Sequence, residues 1–285
     1  MPKRPGRCFR QIQWLVIHNG EQALPELQSD DADVNALMSS VLTSENLGYA
    51  SAIQLALKQT QAPFLLVLNA DLMPEPGCLP AVVKVTEEWE SRWEKVGIVG
   101  FRLFNADGTP QGSAGQFPNF WRIVVGLLRP RARRKYLHLP LDQCIRVPWV
   151  TGASFLLSRE CLNAIGGLDE RFFMYYEDVD LCLRASEAGW TTIHDPAATW
   201  RHFHPYHGRP LTHRMVYFAR HGLLRYFWKH RPQWEFQCLS RIVLFECWYR
   251  RLRDPVDQGW SKIESMVRAH GEDPERFRVM SSDLP

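Results

Sequence analysis

Apolar residues fall along this chain in short unbroken runs that end at Gly, Pro, Asn or Asp. Ile12 to Ile17 is one such run and closes at His18-Asn19-Gly20; Phe64-Leu65-Leu66-Val67-Leu68 is another and closes at Asn69-Ala70-Asp71. Runs of this length between turn residues predict strands covered on both faces, the kind found in parallel sheets. Val96 to Phe104 predicts a third strand, with Asn105-Ala106-Asp107-Gly108 as the turn after it, and Val150 to Leu157 reads as a loop entering a fourth. Thr191 to His194 predicts a further short strand that Asp195-Pro196 should break. Elsewhere the pattern is helical. Ala52-Ile53-Leu55-Ala56-Leu57 predicts a helix that Ser44, Asn46 or Gly48 could cap, and Leu181 to Ala185 predicts one that stops at Gly189. From Tyr217 to His230, and again from Phe236 to Leu252, apolar and cationic residues mix at near-helical spacing. Such segments either pack on the domain or lie on a membrane surface. The stretch from Asp254 is polar and carries no readable chemistry.

A chain of 285 residues that is 45% hydrophobic can bury a full core, as one large domain or two small ones. The net charge of +3 is too mild to point to nucleic acid, and the basic residues follow no recognised nucleic-acid module. The seven cysteines form no C-x-x-C pair, and their odd number argues against a complete disulfide framework, so a reducing cytosol is expected. The first twenty residues are basic but lack the apolar core and cleavage site of a secretory signal. No run of eighteen apolar residues is present to form a spanning helix.

The chemistry concentrates between Trp149 and His204. Glu177, Asp178 and Asp180 follow the aromatic run Phe172, Phe173, Tyr175 and Tyr176, and aromatic neighbours desolvate a carboxylate and raise its pKa, as a general base requires. The acids also open the helix predicted over Leu181 to Ala185, where the helix dipole favours negative charge. The competing reading is structural: Glu177 or Asp180 as a helix cap. In full, GASFLLSRECLNAIGGLDERFFMYYEDVDLCLRASEAGW resembles the acceptor-side segment of family 2 inverting glycosyltransferases, in particular the bacterial rhamnosyltransferase-like branch. The resemblance extends more weakly from about Ile12 to Arg231.

That resemblance implies an α/β fold: a GT-A-like (Rossmann-like), mostly parallel sheet flanked by helices. It implies a transferase domain over residues 1–232 and a C-terminal helical extension over 233–285. Asn69-Ala70-Asp71 is similar to the family's Asn-x-Asp motif, whose last Asp helps hold Mg²⁺ or Mn²⁺ on the diphosphate of a sugar nucleotide. Out of that context Asp71 would read as a turn cap. The family phrase Pro-Glu-Ala-x-x-x-His, matched from Pro196, makes His202 the second metal ligand; His204 and His207 would contact diphosphate or line a loop. Asn46-Leu47-Gly48-Tyr49-Ala50 resembles a phrase near the nucleotide-sugar, which with Asn19 and Asn69 completes the expected donor contacts.

The chain departs from the family at its start. His18 stands where the family has an Asp that helps hold the nucleoside, and nothing before Ile12 matches the family's first strand and helix. An interior strand removed from a sheet would leave buried backbone groups unpaired at roughly 1–3 kcal/mol each. A truncated or misassigned start is the expected reason, with a second chain or a rearranged sheet as the alternatives.

The implied reaction moves a sugar from a nucleoside diphosphate to a hydroxyl of a glycan or lipid-linked acceptor with inversion, in cell-surface polysaccharide biosynthesis. Asp178 would be the base and Glu177 its tuning or orienting partner. A cytoplasmic protein peripheral to the inner membrane is expected, with Arg129, Arg131, Arg133, Arg134 and Lys135 either meeting anionic lipid or forming a solvated loop. Two rivals stand beside it: a non-catalytic or degenerate descendant serving as a binding or scaffolding protein, and a nucleotidyltransferase, for which the Gly-rich phosphate loop is missing.

Overall fold

The computed structural model describes residues 12–20, 38–127, 136–137, 139–140, 142–205, 210, 212–254 and 256–273. In chain order these form β1 (Trp14–Asn19), β2 (Met38–Thr43), α1 (Tyr49–Gln59), β3 (Phe64–Leu68), β4 (Leu72–Pro74), α2 (Cys78–Glu87) and α3 (Trp89–Arg92). There follow β5 (Val96–Asn105), β6 (Pro110–Gln111), β7 (Ala114–Gly115), α4 (Phe120–Leu127), β8 (Ile145–Arg146), β9 (Trp149–Val150) and β10 (Ser154–Ser158). The last are α5 (Arg159–Ile165), α6 (Glu177–Glu187), β11 (Thr191–His202), α7 (His213–His230), α8 (Gln233–Arg253) and α9 (Gly259–Glu272).

The fold is α/β, a mixed sheet flanked by helices with a helical C-terminal region. The main sheet has the order β3-β10-β5-β11-β4, with β6 beside β5 and β8 beside β11. Because β10 runs antiparallel to both β3 and β5, those two share a direction, and β11 lies parallel to β5. Only the β5–β11 pair is parallel among the described strands of this sheet; β10, β4, β6 and β8 each run antiparallel to their partners, so the sheet is mixed. Pleating divides the core between the two faces. Phe155 and Leu157 pack with Val179, Leu181 and the C-terminal helices, while Leu156 packs with Val82, Val85, Phe101 and Trp200. The carbonyls at the end of α1 are taken by the Arg159 guanidinium, which donates to Leu57, Thr60 and Ala62.

One expected boundary changes, and the C-terminal region is helical as expected. Asp195-Pro196 does not end β11: the register on β5 jumps between Asp195 and Thr199, and the Asp195 carboxylate takes the Ala197 N–H inside that bulge. The strand therefore runs on to His202. The polar stretch after Asp254 also contains a helix, α9, which buries Trp260, Ile263, Met266, Val267 and His270.

β1 and β2 stand apart as a two-stranded parallel sheet. β3, at the border of the main sheet, pairs with β10 on one side, and its five residues are only half buried. Consecutive residues of β1 and of β3 line the same cavity. Neighbouring side chains of a strand point to opposite faces, so both strands turn an edge toward that space.

Candidate active site

Asp71 sits in the tight turn between β3 and β4, fixed by Leu72 N–H donating to Asn69 O at 3.3 Å and by Phe203 N–H donating to Asp71 O at 3.0 Å. The second bond fastens the turn to the end of β11, so that Asp71 Oδ1 and His202 Nε2 stand 3.2 Å apart. His202 is buried, and its Nδ1 lies 3.0 Å from Gln111 Nε2. An amide N–H can only donate, so in this arrangement Nδ1 accepts and Nε2 carries the proton toward Asp71. Gln111 Oε1, the other end of the amide, is buried without a hydrogen-bond partner. A half-turn of that amide would set Oε1 against Nδ1–H and free Nε2 as a ligand. One carboxylate and one imidazole suit a small divalent cation such as Mg²⁺ or Mn²⁺. Among the described residues no group of three or more His, Cys, Asp or Glu side chains could hold a metal, so substrate phosphates and water would complete the shell.

Glu177 and Asp178 form the buried first turn of α6. The chain enters that turn through Tyr175 and Tyr176, both with positive φ, at 70° and 73°, a left-handed conformation that costs a non-glycine residue of order 1–3 kcal/mol. Packing holds it there: a Cβ on Gly222 of α7 would lie 2.2 Å from Tyr175 O, so only glycine lets the helix approach. An ion cluster locks the far side. Asp180 meets Arg184 at 2.8 Å, Lys229 at 2.7 Å and His230 at 2.7 Å, and Lys229 also reaches Asp169 at 2.8 Å. Burial works against the Asp180 charge, but the His230, Arg184 and Lys229 contacts prevail and hold its carboxyl below the usual range. Asp180 is thus an anchor between α6 and α7, the structural role the sequence left open for it.

Asp178 is oriented by two backbone donors, Gly152 N–H to Oδ2 at 3.1 Å and Val179 N–H to Oδ1 at 2.8 Å. The Gly152 carbonyl on the next peptide unit accepts from the Tyr49 hydroxyl. Burial, then the negative charges of Glu177, Asp178 and Asp71, holds that hydroxyl well above the usual tyrosine range. It therefore stays a neutral donor, and it feels both carboxylate groups at once.

The motifs converge. Asn19, Asn46, Tyr49, Asn69, Asp71, Gln111, Gly152, Glu177, Asp178, His202 and His204 all line one cavity of about 2920 Å³. That space also runs along the open edges of β1 and β3, so only part of it belongs to the cleft around Asp71 and Asp178. Asn19 is engaged in a different way from the expected donor contact: its amide bridges Leu47 N–H at 2.8 Å and Gly48 O at 3.0 Å, which pins the turn before α1. Gly48 has φ 84°, and a Cβ there would meet Phe173 O at 2.5 Å. Gln111 and Tyr49 are the residues that sequence reasoning missed; Tyr49 lay inside a quoted phrase, and Gln111 carried no linear signal. The basic run 129–135 and His207 lie outside the described residues.

Residues 33–215, well over half of the chain, match the family model described as glycosyltransferase like family 2. An N-acetylglucosaminyl-diphospho-decaprenol L-rhamnosyltransferase of Mycobacterium tuberculosis is 33% identical over 178 residues, 56% of this chain and 57% of that protein. The O-antigen biosynthesis protein RfbC of Myxococcus xanthus is 32% identical over 149 residues, 48% of this chain and 11% of that protein. The chain thus spans little more than half of the first relative and a small part of the second. Among solved structures, a GalNAc-T7 determined with UDP, GalNAc and Mn²⁺ aligns with 75% of this chain and 41% of its own, at 12% identity and a TM-score of 0.49.

Proposed function

Since this chain belongs to glycosyltransferase family 2, we propose that it moves a sugar from a nucleoside diphosphate to a hydroxyl of a glycan or lipid-linked acceptor, inverting the anomeric carbon. The observation that carries the proposal is the shared cavity: the Asp71–His202 pair and the Glu177–Asp178 turn come from distant parts of the chain and face one space. Asp71 and His202 would hold Mg²⁺ or Mn²⁺ against the two phosphates, with Gln111 setting the imidazole tautomer. The bound cation supplies positive charge that stabilises the departing diphosphate.

Asp178 takes the proton of the acceptor hydroxyl. As it does so, the acceptor oxygen bonds to the anomeric carbon from the face opposite the diphosphate, and the bond to the leaving oxygen breaks with its electron pair. Gly152 and Val179 aim the carboxylate, and the fold of Tyr175 and Tyr176 fixes its height above the cleft. Glu177, its neighbour in the turn, tunes or orients that base. Asn46 and Asn69 border the donor side of the cavity and are the remaining candidates to touch the nucleotide. We take residues 1–232 as the transferase domain and 233–285 as its helical extension. The setting is the cytoplasmic face of a membrane and the product a cell-surface polysaccharide; no helix among the described residues is long and apolar enough to cross a bilayer.

The test is transfer of radiolabelled sugar from a panel of nucleoside-diphosphate sugars to a short lipid diphosphate sugar in the presence of Mn²⁺. Transfer with inverted configuration supports the reading. Nucleotide binding with neither transfer nor donor hydrolysis would instead support the non-catalytic descendant, which the detached β1–β2 pair favours.

A further inference from the structure

Helix α8 carries two apolar faces. Phe236, Leu239, Val243 and Cys247 recur at helical spacing and are buried in the core. On the opposite side Trp234, Ile242, Phe245, Trp248, Tyr249 and Leu252 form a second stripe, and all six are exposed, Phe245 by 63% and Leu252 by 60%. A soluble helix ordinarily places charge on its outer face, and a run of exposed large apolar residues marks a surface with a partner.

The chemistry of the stripe selects the partner. It is aromatic and cationic: Arg241 falls within it by helical spacing, and the Arg253 guanidinium sits 5.7 Å from the Tyr249 ring centre. The two acids of the helix are neutralised nearby, Glu246 by Arg220 at 2.7 Å and Glu235 by Arg231 at 2.7 Å. Trp and Tyr at the water boundary with Arg around them is the composition of a helix lying in a lipid headgroup region. The stripe also continues beyond α8. Phe120 of α4 contacts Trp234, with ring centres 5.5 Å apart, and Trp121 and Val125 on α4 are exposed as well.

Position agrees with chemistry. Trp121, Val125, Glu246 and Arg250, from the flanks of α4 and α8, line the same cavity as Asp71 and Asp178. This surface therefore borders the cavity that holds Asp71 and Asp178.

We propose that the outer face of α8, extended by Trp121 and Val125, docks the protein on an anionic lipid bilayer with the cavity mouth at the headgroup level. The inference rests on the lipid-linked-acceptor reading for its purpose, and on the geometry of α8 for the contact. The purified full chain is sedimented with vesicles of phosphatidylcholine, with and without phosphatidylglycerol. The protein should pellet with the anionic vesicles, release as salt rises, and shift its tryptophan emission to the blue. The double substitution Phe245→Glu and Leu252→Glu should lower vesicle partitioning at least about tenfold, because two exposed apolar side chains that would enter the bilayer are replaced by charge. Transfer to a water-soluble acceptor should be unchanged. Arg241→Glu, which leaves the apolar stripe intact, should weaken binding to anionic vesicles alone. A wild-type chain that ignores both vesicle types, variants that bind as well as wild type, or a dimer that the Phe245→Glu, Leu252→Glu protein no longer forms would each overturn the proposal. Vesicle binding is read without turnover. A protein that binds vesicles but transfers nothing would therefore sink the catalytic reading and leave this one standing.

Discussion

Replacing Asp178 by Asn changes one oxygen to an amide nitrogen, and the surroundings determine what that does. The carboxylate accepts from Gly152 N–H on one oxygen and Val179 N–H on the other, at 3.1 and 2.8 Å. Asn can satisfy only one of them, and its NH₂ then faces a second donor. A buried N–H without an acceptor costs roughly 1–3 kcal/mol. Loss of negative charge in the first turn of α6 adds about 0.3–1 kcal/mol. For a chain of this size the melting temperature should fall by about 2–4 °C per kcal/mol, so Asp178→Asn should melt several degrees lower yet remain folded. Turnover should fall much further, by about 10²–10⁴, the usual worth of a general base. Donor affinity should hold, since the proposed reaction sets Asp178 on the acceptor side. The assay pairs single-turnover transfer with a nucleotide titration on the same preparation. Turnover within a few-fold of wild type would refute the reasoning, and so would a loss of activity no larger than the loss of folded protein.

Gln111→Leu should weaken Mn²⁺ binding by about 10–100-fold, the usual effect of removing a hydrogen-bond partner behind a metal ligand, as measured by paramagnetic titration with nucleotide present. Gly222→Ala should cost about 1–3 kcal/mol from overpacking against Tyr175 O and should lower turnover beyond its effect on melting, because it displaces the turn that carries Asp178. Acid should loosen the C-terminal helices. Burial, reinforced by neighbouring positive charge, pushes His221 down to about 3 and His270 down to about 4, from 6.5 in the unfolded chain. The folded form then binds fewer protons than the unfolded form between pH 6.5 and about 4, so stability falls as pH falls through that window. Each histidine contributes up to about 1.4 kcal/mol per pH unit. Urea unfolding at pH 7 and pH 5 should show the decline, and His221→Leu with His270→Leu should flatten it. Below the ordinary carboxyl value of 3.8, protonation of Asp180, whose pKa is lowered in the fold, removes a further contribution.

What could be read from the sequence followed from how local each signal is. β3 and the turn at Asp71 were legible because an apolar run and its polar end lie within eight residues, Phe64 to Asp71. The opening of α6 was legible because its acids precede an uninterrupted helical pattern. Asp195-Pro196 misled because proline rules out a ladder bond, whereas the bulge removes the need for one. Gln111 was invisible for a different reason. It belongs to a two-residue strand, and its meaning comes entirely from His202, ninety-one positions away. Asn19 kept its place in the cleft but its amide closes a loop, a partner that only the folded chain supplies. For α9 the signal was present: Trp260, Ile263, Met266, Val267 and His270 recur at helical spacing within a polar stretch whose composition concealed them.

The central claim is that Asp71 and His202 form the donor half, and Asp178 the acceptor half, of one cleft. Thermal melting with UDP, GDP and dTDP, each with and without Mn²⁺, tests it on wild type, Asp71→Ala and Asp178→Asn together. The expected result is that one nucleotide raises the melting temperature only when Mn²⁺ is present, in wild type and in Asp178→Asn but not in Asp71→Ala. A shift that survives Asp71→Ala or does not need the cation, or no shift with any nucleotide, would contradict it.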